Sequence, residues 1–491
     1  MRLVPPALLI SLALPATAQD MPDFALTIYS SARPGQLDSQ RLANHGAELP
    51  GYAVVRDQRR MRLERGRSEV RFPHVAARMD PSTVTFESLT DPDGTRVLEQ
   101  NYQFDLVGRQ RLLERYIGET LSIERVQGDA VERTTGELLS AEGGLTLRLP
   151  SGELATFSDP SAIRFPALPG GLMTRPTLLW RVEAARGGDH EVRVSYQARG
   201  LTWWADYNGV LDAEGCSLDL GAWVTLVNQS GASFPSTRLK LVAGDVQRVE
   251  PPPAPVMYAR AAMAADGGGR GFEESSLFEY HLYTLDRRTD LPDRSTKQLE
   301  LFPAASKVPC TRQLVFTAIP ARPLYAGVPA LEGGFMGTTE GTVAAWLEFR
   351  NEERHGLGMP LPAGRLRVSQ QGADGSLEFI GEDVIDHTPR NETLRVRLGS
   401  AFDVVGERRQ VAWQVDRKAR WAEETVAIEL RNRKREPVEV VARDYLYRWS
   451  SWEITSASHE HRKRDALTVD FPVRIPADGT VQVEYTVRYA W

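Results

Sequence analysis

The sequence predicts a mostly β protein that contains several β-sandwich-like domains and a small barrel that starts with a helix. Short segments in which apolar and polar residues alternate recur along the 491 residues, as in strands with one buried face. Glycine, proline and aspartate separate these segments at regular intervals, which is typical of stacked antiparallel sheets. Helical spacing of apolar residues is clearest in one short stretch of the N-terminal half.

The composition limits the class of protein. The length of 491 residues leaves room for about three domains. Apolar residues at 42% and charged residues at 25% are ordinary globular values, which argues against wholesale disorder. The formal net charge of −6 provides no general attraction for nucleic acid, so we expect no nucleic-acid partner. Arginine is spread through the strand-like segments beside acidic residues, which predicts solvated outer strand faces.

The N-terminus has the pattern of a signal peptide. Arg2 precedes the apolar run Leu3–Leu14, and Ala16–Ala18 provides a small-x-small cleavage pattern. We therefore expect residues 1–18 to be removed by cleavage after Ala18, which makes the protein periplasmic or extracellular. The run is shorter than the about 20 apolar residues of a spanning helix, so we expect no transmembrane helix in the mature chain.

The chain has two cysteines, and each lies beside strand-like sequence. In an oxidising compartment this favours a disulfide between Cys216 and Cys310, with two buried free thiols as the alternative. Two cysteines without a nearby histidine cluster do not indicate a zinc site. We expect no metal and no cofactor.

The N-terminal third divides into two predicted parts. Residues 19–105 contain short strand-like pieces and predict an N-terminal β-domain. The best helical candidate follows from Leu106 to Tyr116, with Leu112 and Leu113 on the same side as Tyr116. Four or five short strands come next, so residues 106–165 predict a small helix-plus-barrel module.

Residues 166–335 predict a central β-domain, which contains the clearest strand of the chain. Its inward positions after Cys216 are Leu218, Leu220, Ala222, Val224 and Leu226. Turn residues at 228–231 precede renewed alternation at Leu239 and Leu241, which predicts a hairpin.

The sequence changes character twice more towards the C-terminus. The stretch 249–276 is rich in proline, glycine and alanine and predicts a disordered excursion between paired strands. Residues 336–491 are strand-like throughout and predict a C-terminal β-sandwich region.

Two aromatic residues near the clearest strand form the first candidate site. Trp203 and Trp204 are adjacent, so in a strand they lie on opposite faces. The outward ring, beside Asp206 and Tyr207, could stack on a sugar ring or contact a partner protein. Alternatively, another part of the protein covers it.

The densest group of acids and histidine forms the second candidate site. It consists of Glu382, Asp383, Asp386 and His387. Paired carboxylates with a histidine could perform general acid–base catalysis or bind a cation, whereas acids beside glycine and proline are also typical of turns. The motifs of hydrolases, zinc proteases and nucleotide-binding loops do not occur in the sequence.

The C-terminal strand has unbroken alternation. Its apolar and aromatic positions are Val481, Val483, Tyr485, Val487, Tyr489 and Trp491. Terminal strands of outer-membrane proteins have this pattern, with interfacial aromatic residues. The variable strand lengths and the arginine- and glutamate-rich faces favour a final sandwich strand instead.

Longer stretches beyond residue 165 occur in a definite order. They include LPGGLMTRPTLLW, GLTWWADYNGVL, VTLVNQSGASFPSTRLKLVAGDV, EYHLYTLDRRTDLPDRSTKQLEL, GEDVIDHTPRNETLRVRLGSAFDVVGERR and VEYTVRYAW. Over about residues 165–491 the chain resembles a bacterial exported family that is defined by a domain of unknown function and related to the mucoidy inhibitor A proteins. The resemblance implies an exported β-sandwich protein of the envelope. It provides no catalytic residues, because none are established for the family.

These observations predict an exported envelope protein that acts as a non-enzymatic binding or structural β-module in the periplasm. The expected partner is an envelope protein or a glycan. Two alternatives stay open. One is a carbohydrate-active enzyme that uses the acids near Glu382–His387, and the other is an outer-membrane-associated protein.

Overall fold

The computed structural model describes residues 22–30, 35, 49–103, 107–127, 130–169, 172–212, 216–244, 272–277, 280–319, 328–334, 338–372 and 374–491. Strands account for 67% of the described residues and helices for 3%, which confirms the mostly β prediction. Within these ranges, no helix has the length and apolar character needed to span a bilayer. The predicted signal peptide and its cleavage after Ala18 lie outside the described residues.

The elements of the N-terminal third are short. They are β1 (Asp23–Tyr29), β2 (Tyr52–Leu63), β3 (Gly66–Pro73), β4 (Met79–Ser88), β5 (Thr95–Gln103), α1 (Arg109–Arg115), β6 (Thr120–Gln127), β7 (Ala130–Ser140), β8 (Leu145–Arg148), β9 (Leu154–Phe157) and β10 (Ala162–Arg164).

The central and C-terminal elements include much longer strands. They are β11 (Thr177–Ala184), β12 (Gly188–Arg199), β13 (Leu201–Leu211), β14 (Ser217–Asn228), β15 (Phe234–Ala243), β16 (Phe272–Leu277), β17 (Tyr280–Leu285), β18 (Thr289–Leu291), β19 (Ser295–Thr317), β20 (Thr338–Arg350), a 3-10 helix (Glu353–His355), β21 (Gly364–Gln371), β22 (Leu377–Ile385), β23 (Thr393–Asp416), β24 (Trp421–Asn432), β25 (Val438–Tyr445), β26 (Trp452–Ala457), β27 (Arg462–Lys463), β28 (Thr468–Ile475) and β29 (Thr480–Ala490).

The first sheet joins N-terminal and central strands in the order β16-β17-β15-β1-β2-β12-β4, with β18 beside β15. A second sheet, β3-β11-β5, packs against it. Trp180 of β11 is fully buried between them, with ring centroids 5.1 Å from Phe72 of β3 and 5.2 Å from Phe86 of β4. The predicted sandwich architecture is therefore present. Strands from 19–105 and 166–335 share it, and the domain limits themselves stay a prediction.

The small module consists of α1 and an open sheet in the order β10-β6-β7-β8-β9. Leu113 and Tyr116 of the predicted helix are buried against the sheet residues Leu121 and Leu138. In the described residues the edge strands β9 and β10 do not pair with each other. The predicted barrel is therefore not confirmed, because the helix covers one face of a sheet that does not close.

The largest sheet contains the order β22-β21-β13-β14-β19-β20-β23-β24-β29-β26, with β25, β27 and β28 attached through β19. Its long strands pass from one hydrophobic core to the next. In β20, Leu347 and Phe349 belong to the first core, whereas Val343 belongs to the C-terminal core. In β23, Val396 belongs to the first core and Val404 to the C-terminal core. The two cores therefore share their central strands.

The hairpin predicted for the central region is wrong. The turn residues predict a hairpin between β14 and β15, but β14 pairs with β13 and β19, and β15 pairs with β1, β17 and β18. The side-chain amide of Asn228 donates to the carbonyls of Leu291 at 3.0 Å and Pro292 at 3.1 Å, which ties this turn to the segment before β19. The end of the predicted excursion 249–276 is also ordered, since β16 pairs with β17. Residues 245–271 lie outside the described residues.

Candidate ligand-binding face

Strand alternation separates the four residues of the first candidate site. Trp203 and Tyr207 point into the core, where Trp203 packs edge-to-face on Tyr283 with centroids 6.3 Å apart. The hydroxyl of Tyr207 donates to the carbonyl of Pro362 at 2.7 Å, and burial raises the pKa of Tyr207 well above its usual value. These two residues therefore support the fold, whereas Trp204 and Asp206 lie on the opposite face of β13.

Asp206 organises that opposite face. Its Oδ2 accepts hydrogen bonds from the indole N–H of Trp204 at 2.7 Å and from the hydroxyl of Thr225 at 3.0 Å. Trp204 is half-buried because it packs against Leu49 and Val227. The predicted covering of this ring by other parts of the chain is therefore partly correct, and the ring serves mainly to hold Asp206.

Two arginines of β21 connect the first candidate site to the second. β21 runs parallel to β13 with Arg365 beside Asp206, and antiparallel to β22 with Arg367 opposite Glu382. Nη2 of Arg365 and Nη1 of Arg367 lie 3.8 and 3.6 Å from Asp206 Oδ1, and Nε of Arg367 lies 3.3 Å from Glu382 Oε2. The separations from Asp206 exceed hydrogen-bond lengths, so these ion pairs leave guanidinium donors available to a ligand.

Trp223 is the residue of this face that the sequence analysis missed. It lies opposite Asp206 in the pairing of β14 with β13, and its side chain is 41% exposed. Gly221 occupies the next position on the same face, where an added Cβ would have no neighbour closer than 4.0 Å. Exposed Asn208 pairs with Gly221 across the strands. The indole ring therefore borders open space above Gly221.

The signal for Trp223 was present in the alternation of β14. The inward residues Leu218 to Leu226 are buried as predicted, which places Trp223 among the outward positions of the strand. A large aromatic ring among outward polar positions marks a candidate contact surface. We name this surface the aromatic–charged face. It consists of Trp204, Asp206, Asn208, Gly221, Trp223, Thr225, Arg365, Arg367 and Glu382.

The second predicted cluster does not converge on one point. Glu382 belongs to the aromatic–charged face, but Asp383 Oδ2 accepts a hydrogen bond from the backbone N–H of Arg397 at 2.8 Å. Nδ1 of His387 accepts from the backbone N–H of Ala363 at 3.0 Å, and the carbonyl of Asp386 accepts from the hydroxyl of Thr388 at 2.8 Å.

These bonds are typical of strand ends and turns, and they give the members of the cluster separate structural partners. In the part of the chain that the structure describes, no group of three or more acidic, histidine or cysteine side chains could hold a metal ion.

The disulfide between Cys216 and Cys310 is confirmed, with Cα atoms 5.1 Å apart. It links the residue before β14 to the middle of β19, and the N–H of Cys310 also donates to the carbonyl of Cys216 at 3.0 Å. The bond therefore anchors two strands that carry residues of the aromatic–charged face or flank it.

A further polar cluster lies inside the C-terminal core. Nε of Arg408 donates to Asp444 at 2.7 Å, and Nε of Arg448 donates to Glu424 at 2.9 Å. Nη2 of Arg408 lies 3.6 Å from Glu424, and the hydroxyl of Tyr485 donates to Asp444. All five side chains are buried. The prediction that strand arginines lie on solvated faces is wrong for these two, because carboxylates balance their charges inside the core.

Comparison with protein-family models finds none that matches the chain, and a search of curated proteins also finds no match. The function is therefore argued from the geometry of the aromatic–charged face and from the chemistry of its side chains.

Proposed function

We propose that the protein is an exported envelope protein that acts as a non-enzymatic binding module, and that its ligand is a glycan held on the aromatic–charged face. The observation that carries this proposal is the exposed ring of Trp223 beside the open space over Gly221. A pyranose ring has an apolar face that can lie against an indole and hydroxyl groups that need polar partners at its edge.

The polar side chains around Trp223 suit such a ligand. Asn208 provides a donor and an acceptor, and Arg367 provides donors that its long contact with Asp206 does not consume. The two arginines and two carboxylates of the face balance each other, which favours an uncharged sugar. A strand-like peptide is disfavoured because the backbone groups of an interior sheet face are already paired within the sheet.

The arrangement of the acids supports binding rather than hydrolysis. Asp206 is held by two hydrogen bonds and two arginines, and Glu382 is held by Arg367. A glycosidase uses two carboxyl groups on either side of the scissile bond, one of which must carry a proton. Asp206 and Glu382 are instead engaged by arginines on one sheet face, where they can orient a ligand.

The export of the protein is part of the proposal. The disulfide between Cys216 and Cys310 supports an oxidising compartment, and the N-terminal pattern and the resemblance to an exported envelope family point the same way. Osmotic shock of the native host tests this component. We expect the mature chain in the shock fluid. Recovery of the chain in the cytoplasm would contradict export, and recovery only with the outer membrane would favour the membrane-associated alternative.

Ligand binding is tested by isothermal titration, because this measurement does not depend on the indole that Trp223→Ala removes. The mature protein is titrated with cellotriose, chitotriose, maltotriose and the polysaccharide fraction of the host envelope. We expect saturable binding of at least one of them, and Trp223→Ala should weaken it at least about tenfold, which corresponds to about 1.4 kcal/mol.

The matched control is Phe402→Ala. Phe402 is an aromatic side chain that is 95% exposed on β23 and does not belong to the aromatic–charged face. Binding that Phe402→Ala weakens as much as Trp223→Ala would contradict the proposed site. Release of shorter sugars by the wild type, and its loss in Glu382→Gln, would support the enzymatic alternative.

A further inference from the structure

The C-terminal half of the large sheet contains a groove of about 790 Å³. It crosses β25, β19, β20, β23 and β24, and none of its lining residues belongs to the aromatic–charged face. Its lining includes small residues, among them Ala344, Thr342 and Gly406. A cavity of this size is within the range of sites for small organic ligands.

Two features of the chain create the depression. Ala401 and Val405 of β23 pair with the adjacent residues Val343 and Thr342 of β20, so β23 has extra residues between them. Such a bulge bends a sheet. Gly406 lies against the buried ring of Phe316, where an added Cβ would be 2.5 Å from ring carbons. The backbone at Gly406 therefore lies close to the core.

The groove is lined by three arginines and one carboxylate, Glu340. Arg443 is fixed by two hydrogen bonds to Asp470, at 2.7 and 2.9 Å. Arg431 is fixed by a hydrogen bond to Glu429 at 2.8 Å. These two guanidinium groups are held in place by acids outside the lining, so they form polar walls without a large excess of charge.

Arg397 differs from the other two arginines. It is exposed, and the contact of its guanidinium group is a long one of 3.5 Å to the hydroxyl of Ser400. Among the described residues no carboxylate pairs with it. Its neighbour in the pairing of β23 with β20 is the half-buried Trp346, which also lines the groove. An unmatched cation thus lies directly beside an aromatic ring.

We propose that this groove is a second ligand site, and that it binds an acidic sugar whose carboxylate pairs with Arg397 and whose ring lies against Trp346. Guanidinium groups form bidentate hydrogen bonds with carboxylates, which accounts for the charge preference. The groove is on a sheet face, where no free backbone groups are available to an extended peptide, so recognition depends on side chains. The hydroxyls of Thr317 and Thr342 can form hydrogen bonds with the hydroxyls of the sugar.

The test is isothermal titration of the mature protein at low ionic strength. The probes are trigalacturonate, its uncharged counterpart galactotriose, and inorganic phosphate. We expect trigalacturonate to bind at least tenfold more tightly than galactotriose or phosphate. Arg397→Gln should weaken the binding of trigalacturonate at least tenfold. Added salt should weaken the wild-type interaction as well.

The matched control is Arg395→Gln. Arg395 is exposed two positions earlier on β23, but it already pairs with Glu348 at 2.7 Å and does not line the groove. We expect this variant to bind trigalacturonate within twofold of the wild type. An equal loss in both variants, or no binding of trigalacturonate by the wild type, would overturn the proposal. Phosphate binding as tight as that of trigalacturonate would contradict the acidic sugar and indicate a site for a simple oxyanion.

This inference does not depend on the ligand of the aromatic–charged face. Trp223→Ala should leave trigalacturonate binding unchanged, and Arg397→Gln should leave binding on the aromatic–charged face unchanged. The proposal for one site can therefore be contradicted without affecting the proposal for the other.

Discussion

Removal of one member of the buried ion cluster should destabilise the protein far more than removal of a surface charge. Asp444 is fully buried and is the nearest carboxylate to Arg408. Burial by itself would lower the pKa of Arg408, but Asp444 and Glu424 raise it above its usual value. Arg408 therefore stays charged inside the core, and its charge depends on these acids.

The structure sets the magnitude. In Asp444→Leu, Arg408 loses its nearest carboxylate. Glu424, at 3.6 Å, already pairs with Arg448 at 2.9 Å. Breaking a buried pair on one side costs about 3–5 kcal/mol. The double variant Arg408→Met/Asp444→Leu removes both charges and replaces them with apolar volume, so we expect it to lose less stability than either single variant.

Urea unfolding, followed by tryptophan fluorescence, measures these differences. Trp413 is a suitable reporter because the guanidinium group of Arg448 lies 4.0 Å from its ring centre. The exposed pair Arg181–Glu99, at 2.8 Å, is the control, and Arg181→Met should cost about 0–1 kcal/mol. The reasoning would be refuted if Asp444→Leu cost no more than Arg181→Met, or if the double variant were the least stable.

Three other changes have defined outcomes. Reduction of the disulfide between Cys216 and Cys310, which are 94 residues apart, should cost about 2–5 kcal/mol, seen as a lower melting temperature with dithiothreitol that a Cys216→Ser variant does not show. Burial raises the pKa of Tyr102 to about 12, above the unfolded value near 10, so stability is full below about pH 10 and falls as the pH rises towards 12. Tyr102→Phe should flatten that alkaline decline in urea unfolding, and an unchanged slope would contradict the assignment. Gly406→Ala should cost about 1–3 kcal/mol because its Cβ would overlap the buried ring of Phe316, and a neutral effect in thermal unfolding would argue against this packing.

Local sequence patterns correctly predicted which side chains of a single strand or helix are buried. The alternation in β14 gave the correct buried face, and the adjacency of Trp203 and Trp204 placed one ring inside and the other on the opposite face. The helix around Leu113 also followed from local spacing. In each case the periodicity of the element itself determines which side chains are buried.

Contacts between strands that are distant in the sequence could not be predicted from the periodicity of single strands. Arg365 lies beside Asp206 only because β21 pairs in parallel with β13, and no local pattern specifies that partner. The turn at Asn228 was recognised, but turn residues do not specify which sheet the next strand joins. The buried position of Arg408 likewise depends on Asp444, which comes from another strand. The candidate site therefore emerged from the pairing and not from the sequence.

The contrast between matched and unmatched side chains supports a binding role for this protein. Where arginine serves the fold, a carboxylate neutralises it, as Asp444 does for the buried Arg408. Arg397 has no such partner among the described residues, and the exposed ring of Trp223 is not needed to fill a core. Folding gains little from either exposed side chain, because solvated charges and open rings bury little surface. Both lie on outward faces of one sheet beside open space, where a ligand can supply the missing partner.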